Sequence, residues 1–232
     1  MNAIGVLSAE MHRSAKVVLG HYRSFRGEPP NWEGWGFGCI VHPRLVVTSY
    51  SVFRNTEFTY RGDRTETIAR IGDSELACKC LYRDEQRNLA VLTLERAVTA
   101  AEGRSTTTFP KLADQLPLIG QPLGFVADHE LRGTGRATFY QQQVYQCCEV
   151  GLVALLLASD TVLYGIRLDL RRGTCVEGLA VFGADGDIFG IATKFLTNDV
   201  LLSQAESTSQ GFLVFSPIAP IAREAKQIAL QY

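Results

Sequence analysis

Short apolar runs rich in β-branched and aromatic residues recur along the chain, each bounded by Gly, Asp, Asn or Arg. Runs of that length and make-up predict strands, because such side chains suit a pleated surface and the bounding residues suit turns. A first series comprises Lys16–Tyr22, Gly36–Val41, Leu45–Thr48, Phe58–Tyr60, Thr65–Ile71, Leu76–Tyr82 and Leu89–Leu94. Between Arg96 and Asp114 the texture changes to Ala, Thr and charge around Phe109-Pro110, the mark of a linker. A second series follows: Pro122–Ala127, Thr138–Glu149, Val153–Ala158, Val162–Leu168, Leu179–Phe182, Ile188–Lys194 and Phe212–Phe215. The tail Pro220–Leu230 sets Ile221, Ala225, Ile228 and Ala229 at helical spacing behind a proline suited to a first helical turn. Two such series predict an all-β architecture of two antiparallel six-stranded Greek-key barrels with a C-terminal α-helix, since closing each sheet removes its free edges. The expected division is 1–108 for the N-terminal barrel and 109–232 for the C-terminal barrel with its helix.

Composition narrows the class. The 232 residues are 46% hydrophobic and 20% charged, with mean hydropathy +0.03, too apolar for a disordered chain. The longest apolar stretch, Val150 to Ile166, is broken by Gly151, Asp160 and Gly165, so it reads as buried strands and not as a membrane helix. A net charge of −1 gives no electrostatic case for nucleic acid. Arg132, Arg136, Arg171 and Arg172 make local basic spots of the kind solvated loops carry.

Cysteine usage bears on compartment and metal. The start, Met1 to Met11, has no apolar core with a cleavage site, so no secretory signal is expected. The segment from Ala3 to Lys16 carries His12, Arg13 and Lys16 but also Glu10, a poor match to a mitochondrial presequence, and Leu230-Gln231-Tyr232 is not a peroxisomal signal. The expectation is an intracellular, reducing compartment, cytoplasm or nucleus, with the mitochondrion left open. Cys39, Cys78, Cys80, Cys147, Cys148 and Cys175 then read as thiols and not as a disulfide framework. Cys78 and Cys80 share a strand face, but a zinc site would need further ligands in reach, so no metal and no cofactor is expected.

The candidate chemistry lies in an ordered set of motifs: Gly36-Phe37-Gly38-Cys39-Ile40-Val41, Thr48-Ser49-Tyr50-Ser51-Val52, Asn88-Leu89-Ala90-Val91-Leu92, and Gly178-Leu179-Ala180-Val181 running to Asp185-Gly186-Asp187-Ile188-Phe189-Gly190-Ile191. The set resembles the trypsin-like serine proteases, most of all their HtrA/Deg branch, whose blocks read G-x-G, T-x-A-H-V, D-L-A-V-L and G-x-S-G-G-P-L followed by D-G-x-x-x-G-I. Gly120-Gln121-Pro122-Leu123-Gly124-Phe125 and Phe212-Leu213-Val214-Phe215-Ser216-Pro217 resemble flanking strands of the same family. The resemblance implies the trypsin-like version of the two-barrel fold. It also implies a catalytic His where this chain has Ser51, a catalytic Asp where it has Asn88, and a catalytic Ser where it has Glu177 or Cys175.

Those departures decide the expected function. A serine protease needs an imidazole to take the nucleophile's proton and return it to the leaving group, and a serine hydroxyl at position 51 can do neither. His12, His21, His42 and His129 all fall outside the motif. Counting back from Asp185-Gly186 without a gap puts Glu177 at the nucleophile position, whereas a small insertion puts Cys175 there. The expectation is a pseudoenzyme with no catalytic residue, acting as a protein-binding or scaffold subunit with no nucleic-acid or membrane partner. Candidate contact residues are Trp35, beside Trp32 and Phe37, and Arg132, Arg136 and Arg172. Two alternatives stay open: a cysteine-dependent hydrolase using Cys175 with a base from elsewhere, and a passive structural subunit of a large assembly.

Overall fold

A computed structural model describes residues 6–23, 29–57, 65–99, 109–130, 144–158, 161–171, 175–197 and 208–229. The chain opens with helix α1 (Val6–Ala15) and continues through β1 (Lys16–Arg23), β2 (Asn31–His42), β3 (Leu45–Thr48), helix α2 (Tyr50–Glu57), β4 (Thr67–Ile71), β5 (Ser74–Asp84) and β6 (Leu89–Leu94). Then follow β7 (Pro122–Glu130), β8 (Val144–Ala158), β9 (Thr161–Arg171), β10 (Ala180–Phe182), β11 (Ile188–Thr197), β12 (Thr208–Pro217) and helix α3 (Ala219–Ala229). Strands β1 to β6 close one barrel in the order β1-β2-β3-β6-β5-β4, and β7 to β12 close a second in the order β10-β11-β12-β9-β8-β7. All strand pairs within both barrels are antiparallel.

Three cores account for the apolar runs. Val17, Leu19, Ile40, Val46, Ala90, Leu92 and Leu94 fill the first barrel, and Leu123, Phe125, Val153, Ile166, Val181, Leu213 and Phe215 fill the second. A third core lies on the seam: Cys39, Val47, Leu89 and Val91 of the first barrel meet Ile188 and Ile191 of the second and Ile218, Ile221, Ala222 and Ala225 at α3. Strand β6 is therefore buried on both faces, which is why its sequence runs apolar without alternation. Each fully buried Leu or Ile here contributes roughly 1.5–3 kcal/mol.

Some expectations change. The segments Thr138–Glu149 and Val153–Ala158, read as separate strands, belong to one long strand as far as they are described, with 138–143 outside the described residues. Gly151 does not break it. A Cβ there would lie 2.4 Å from the Arg167 carbonyl oxygen, so glycine lets β9 come close. The stretch Val150 to Ile166 is not uniformly buried: Val153, Gly165 and Ile166 are inside, while Val150, Leu152, Leu155 and Val162 are exposed. The outer face of this antiparallel sheet has no covering layer among the described residues, and Leu155 and Val162 sit near the hairpin end. The predicted strand Phe58–Tyr60 lies outside the described residues. Helix α1, where no element was expected, packs on β7 and β2. Its His12 ring stacks on Phe182 at 3.8 Å, and His12 Nε2 bonds the Gly186 carbonyl at 2.8 Å.

Candidate functional site

The motif residues converge where α2 leaves the first barrel. Strand β3 ends at Thr48, whose hydroxyl donates to the Phe37 carbonyl at 2.6 Å and pins β3 to β2. The buried Ser49 caps the helix: its Oγ accepts from Val52 N at 3.4 Å and its carbonyl from Phe53 N at 3.3 Å. Two further N–H groups of that first turn find acceptors on Asn88. Its carbonyl takes Tyr50 N at 3.1 Å and its side-chain Oδ1 takes Ser51 N at 2.8 Å. Asn88 can face the helix this way because its backbone is left-handed, with φ 53°, a conformation that asparagine tolerates better than most residues.

The opposite wall comes from the second barrel. Glu177 closes the gap twice: its carbonyl accepts from Phe37 N at 2.9 Å, and its carboxylate Oε1 accepts from the Ser51 hydroxyl. Gly178, with φ 86°, makes the approach possible, since a Cβ there would stand 1.9 Å from the Phe37 carbonyl oxygen. Gly36 matters for the same reason, with a Cβ falling 2.5 Å from Val52 and 2.9 Å from the Glu177 carbonyl oxygen.

Ser51, Asn88 and Glu177 thus meet side chain to side chain. Asn88 Nδ2 donates to Ser51 Oγ at 3.2 Å, and the Ser51 hydroxyl donates its one hydrogen bond to the Glu177 carboxylate, a group that accepts. With that proton committed, the 3.2 Å contact between the Ser49 and Ser51 hydroxyls uses the proton of Ser49. The chain of donors runs Asn88 to Ser51 to Glu177 and ends in a negative charge. All three side chains are part-buried. An amide, a hydroxyl and a carboxylate in this order make a satisfied network, and a carboxylate is a weaker base than an imidazole.

Other candidate residues fall elsewhere. Of the two open choices for the third position, it is Glu177 whose side chain meets Ser51; the side chain of Cys175 is exposed. His12 and His21 are buried at other places: His12 against Phe182 and His21 with Nδ1 3.2 Å from the Thr56 carbonyl, at the far end of α2. His42 ends β2, where its Nδ1 accepts from Arg44 N at 3.4 Å. Trp35 is 40% exposed and its ring lies 6.1 Å from that of His21. Arg132, Arg136 and Arg172 lie outside the described residues. Cys39 and Cys78 are buried, and burial pushes the Cys78 thiol up to about 12. Among the described residues no group of three or more His, Cys, Asp or Glu could hold a metal ion. Ser49 and Thr48 were not foreseen as parts of the site; the T-x-x-x-V block that contains them was the available signal.

Two closed six-stranded antiparallel barrels with a helix after the last strand define the trypsin-like fold. Among solved structures the chain is similar to the HtrA-type protease AlgW with decapeptide, at 16% sequence identity and TM-score 0.59, over 97% of this chain and 68% of that one. No family model matches the sequence, and no curated protein matches it.

Proposed function

We propose that this chain is a catalytically inactive trypsin-like pseudoprotease that acts as a protein-binding or scaffold subunit. The observation that carries the reading is the Ser51–Asn88–Glu177 network. Ser51, Asn88 and Glu177 take the places of base, orienting acid and nucleophile, and their side chains hydrogen-bond to one another through Ser51. Ser51 stands where the resembled family has its histidine, and a serine hydroxyl is a poor carrier for the proton of acyl transfer.

A binding role gains support from the surface. Leu118, Ile119, Gly120 and Gln121 form a tight turn, closed by Gln121 N donating to the Leu118 carbonyl at 3.0 Å, with Gly120 at φ 80°. Hydrogen bonds from Gly120 N to the Val153 carbonyl at 2.8 Å and from Val153 N to the Gln121 carbonyl at 3.0 Å fasten this turn to β8. The turn therefore holds Leu118 at 74% and Ile119 at 69% exposure, beside Leu152 at 58%. Large apolar side chains held out on an ordered backbone suit burial against another protein. The similar structure is named as holding a decapeptide, which supports a polypeptide ligand for this fold. The test is twofold: hydrolysis of casein and of a peptide library by purified protein, and co-purification of native partners with the wild type and with Leu118→Asp/Ile119→Asp. No turnover, with partners lost from the folded double variant, supports the reading. Turnover that Cys175→Ala abolishes would establish the cysteine hydrolase, and partners retained by every surface variant would leave the passive structural role.

A further inference from the structure

A cavity of about 300 Å³ opens where the segment before β7, the end of β2 and α3 meet. It shares no lining residue with Ser51, Asn88 or Glu177. Its apolar side is Val41, Phe109 and Pro110, and its charged side is Lys111, Asp114, Asp187 and Lys226. The charged groups stand on ordered backbone: Leu112 and Ile188 form a parallel bridge, Ile188 N donates to the Lys111 carbonyl at 2.7 Å, and Ala113 N to the Ile188 carbonyl at 2.9 Å. Lys111 and Asp187, the neighbours of those bridged residues, are thereby set side by side. Lys226 Nζ meets Asp114 Oδ1 at 2.6 Å, which ties α3 to the segment before β7.

That pairing leaves one cation and one anion over. Among the described residues neither Lys111 nor Asp187 is ion-paired, and Lys111 is exposed. Burial, and then the charge of Asp185, push the Asp187 carboxyl up from the usual carboxylate range; Lys111 and Lys226 pull it back only in part. A carboxylate so placed gains from an incoming cation. A lone anion would face Asp114 and Asp187, and a lone cation would face Lys111 and Lys226. A ligand carrying both charges a few bonds apart satisfies both.

We propose that this cavity binds a zwitterionic amino acid with a large apolar side chain, its α-ammonium on Asp187, its α-carboxylate on Lys111 and its side chain against Val41, Phe109 and Pro110. The volume stands at the small end of ligand pockets, which suits one amino acid better than a nucleotide or a larger cofactor. The site is independent of the Ser51–Glu177 cleft and of the pseudoprotease reading.

Isothermal titration of the full chain tests the proposal with L-phenylalanine as probe, beside L-phenylalaninamide, N-acetyl-L-phenylalanine and glycine. L-phenylalanine gives saturable binding, removal of either charge weakens it about tenfold or more, and glycine, without the apolar group, gives none. Asp187→Asn and Lys111→Gln weaken L-phenylalanine likewise, and Asp187→Asn abolishes the discrimination against the N-acetyl compound. Absence of saturable binding up to the solubility limit, or affinity for the amide or the N-acetyl analogue equal to that for L-phenylalanine, overturns the proposal. The analogue series uses the unaltered protein, so a variant that fails to fold leaves the test intact.

Discussion

The Ser51 hydroxyl donates to the Glu177 carboxylate and so joins the first turn of α2 in one barrel to the loop entering β10 in the other, across 126 residues of sequence. A second bond, from Phe37 N to the Glu177 carbonyl at 2.9 Å, spans the same gap. The positions that resemble a catalytic triad therefore work, in this chain, as an inter-barrel clasp.

Removing the acceptor should loosen that clasp. Glu177→Ala leaves the Ser51 proton without its partner and is expected to cost about 1–2 kcal/mol, since a hydrogen bond to a charged group is worth slightly more than a neutral one. Glu177→Gln keeps an acceptor oxygen and should cost less. In a chain of this size each kcal/mol lowers Tm by about 2–4 °C, so thermal and urea unfolding resolve the order. Equal stability of the wild type and Glu177→Ala would show that the contact carries no stability.

Asn88 makes a sharper test because cap and backbone conformation coincide there. Asn88→Ala loses the acceptor for Ser51 N and places an alanine at φ 53°, and is expected to cost about 2 kcal/mol or more. Asn88→Gly loses the same acceptor but tolerates the left-handed backbone, so it should be the milder change. Chemical denaturation monitored by circular dichroism gives both values; an alanine variant more stable than the glycine variant would contradict the left-handed assignment.

Gly178→Ala is expected to be the most damaging alanine substitution among the described glycines. The new Cβ would meet the Phe37 carbonyl oxygen 1.9 Å away at a φ of 86°, and backbone cannot yield as a side-chain tip can. A loss above roughly 3 kcal/mol, or an insoluble product, is the expected outcome. A variant that folds with wild-type stability would contradict the close approach of the two barrels at this point.

His12 predicts the acid side of the stability curve. Burial holds its folded pKa down, from 6.5 to about 4, against a smaller opposing effect of its bond to Gly186. Folding thus favours the neutral ring. Stability from this residue is complete above the unfolded value and is lost as pH falls from about 6.5 through 4, by about 3 kcal/mol in all. Urea unfolding at steps between those pH values measures the slope, which His12→Phe should remove while keeping the stack on Phe182. A wild-type slope unchanged in that variant would assign the acid loss to other groups.

Much of this architecture is legible in the sequence because barrel strands declare themselves locally. The unbroken run Leu89–Leu94 follows from burial on both faces, Gly36 and Gly178 from close backbone approach, and Gly38 from the room that the Val46 side chain takes. Helix α1 was hidden because its anchor is a histidine stacked on Phe182, a contact with no periodicity to betray it. The long strand β8 was hidden because Gly151 reads as a break along the chain but serves a neighbour across the sheet. The third site position stayed open between Cys175 and Glu177 because counting along a loop of uncertain length cannot choose, whereas the contact with Ser51 is tertiary. Asn88 reads as the replacement of a catalytic Asp; its capping of α2 depends on a backbone φ that sequence alone does not give.

On the proposed reading the Ser51–Asn88–Glu177 network joins the barrels and performs no acyl transfer. The most direct measurement is peptide and ester turnover by the purified wild-type chain, with Ser51→Ala and Cys175→Ala measured beside it. The account predicts background rates from all three. Turnover well above background in the wild type that either substitution abolishes would contradict it.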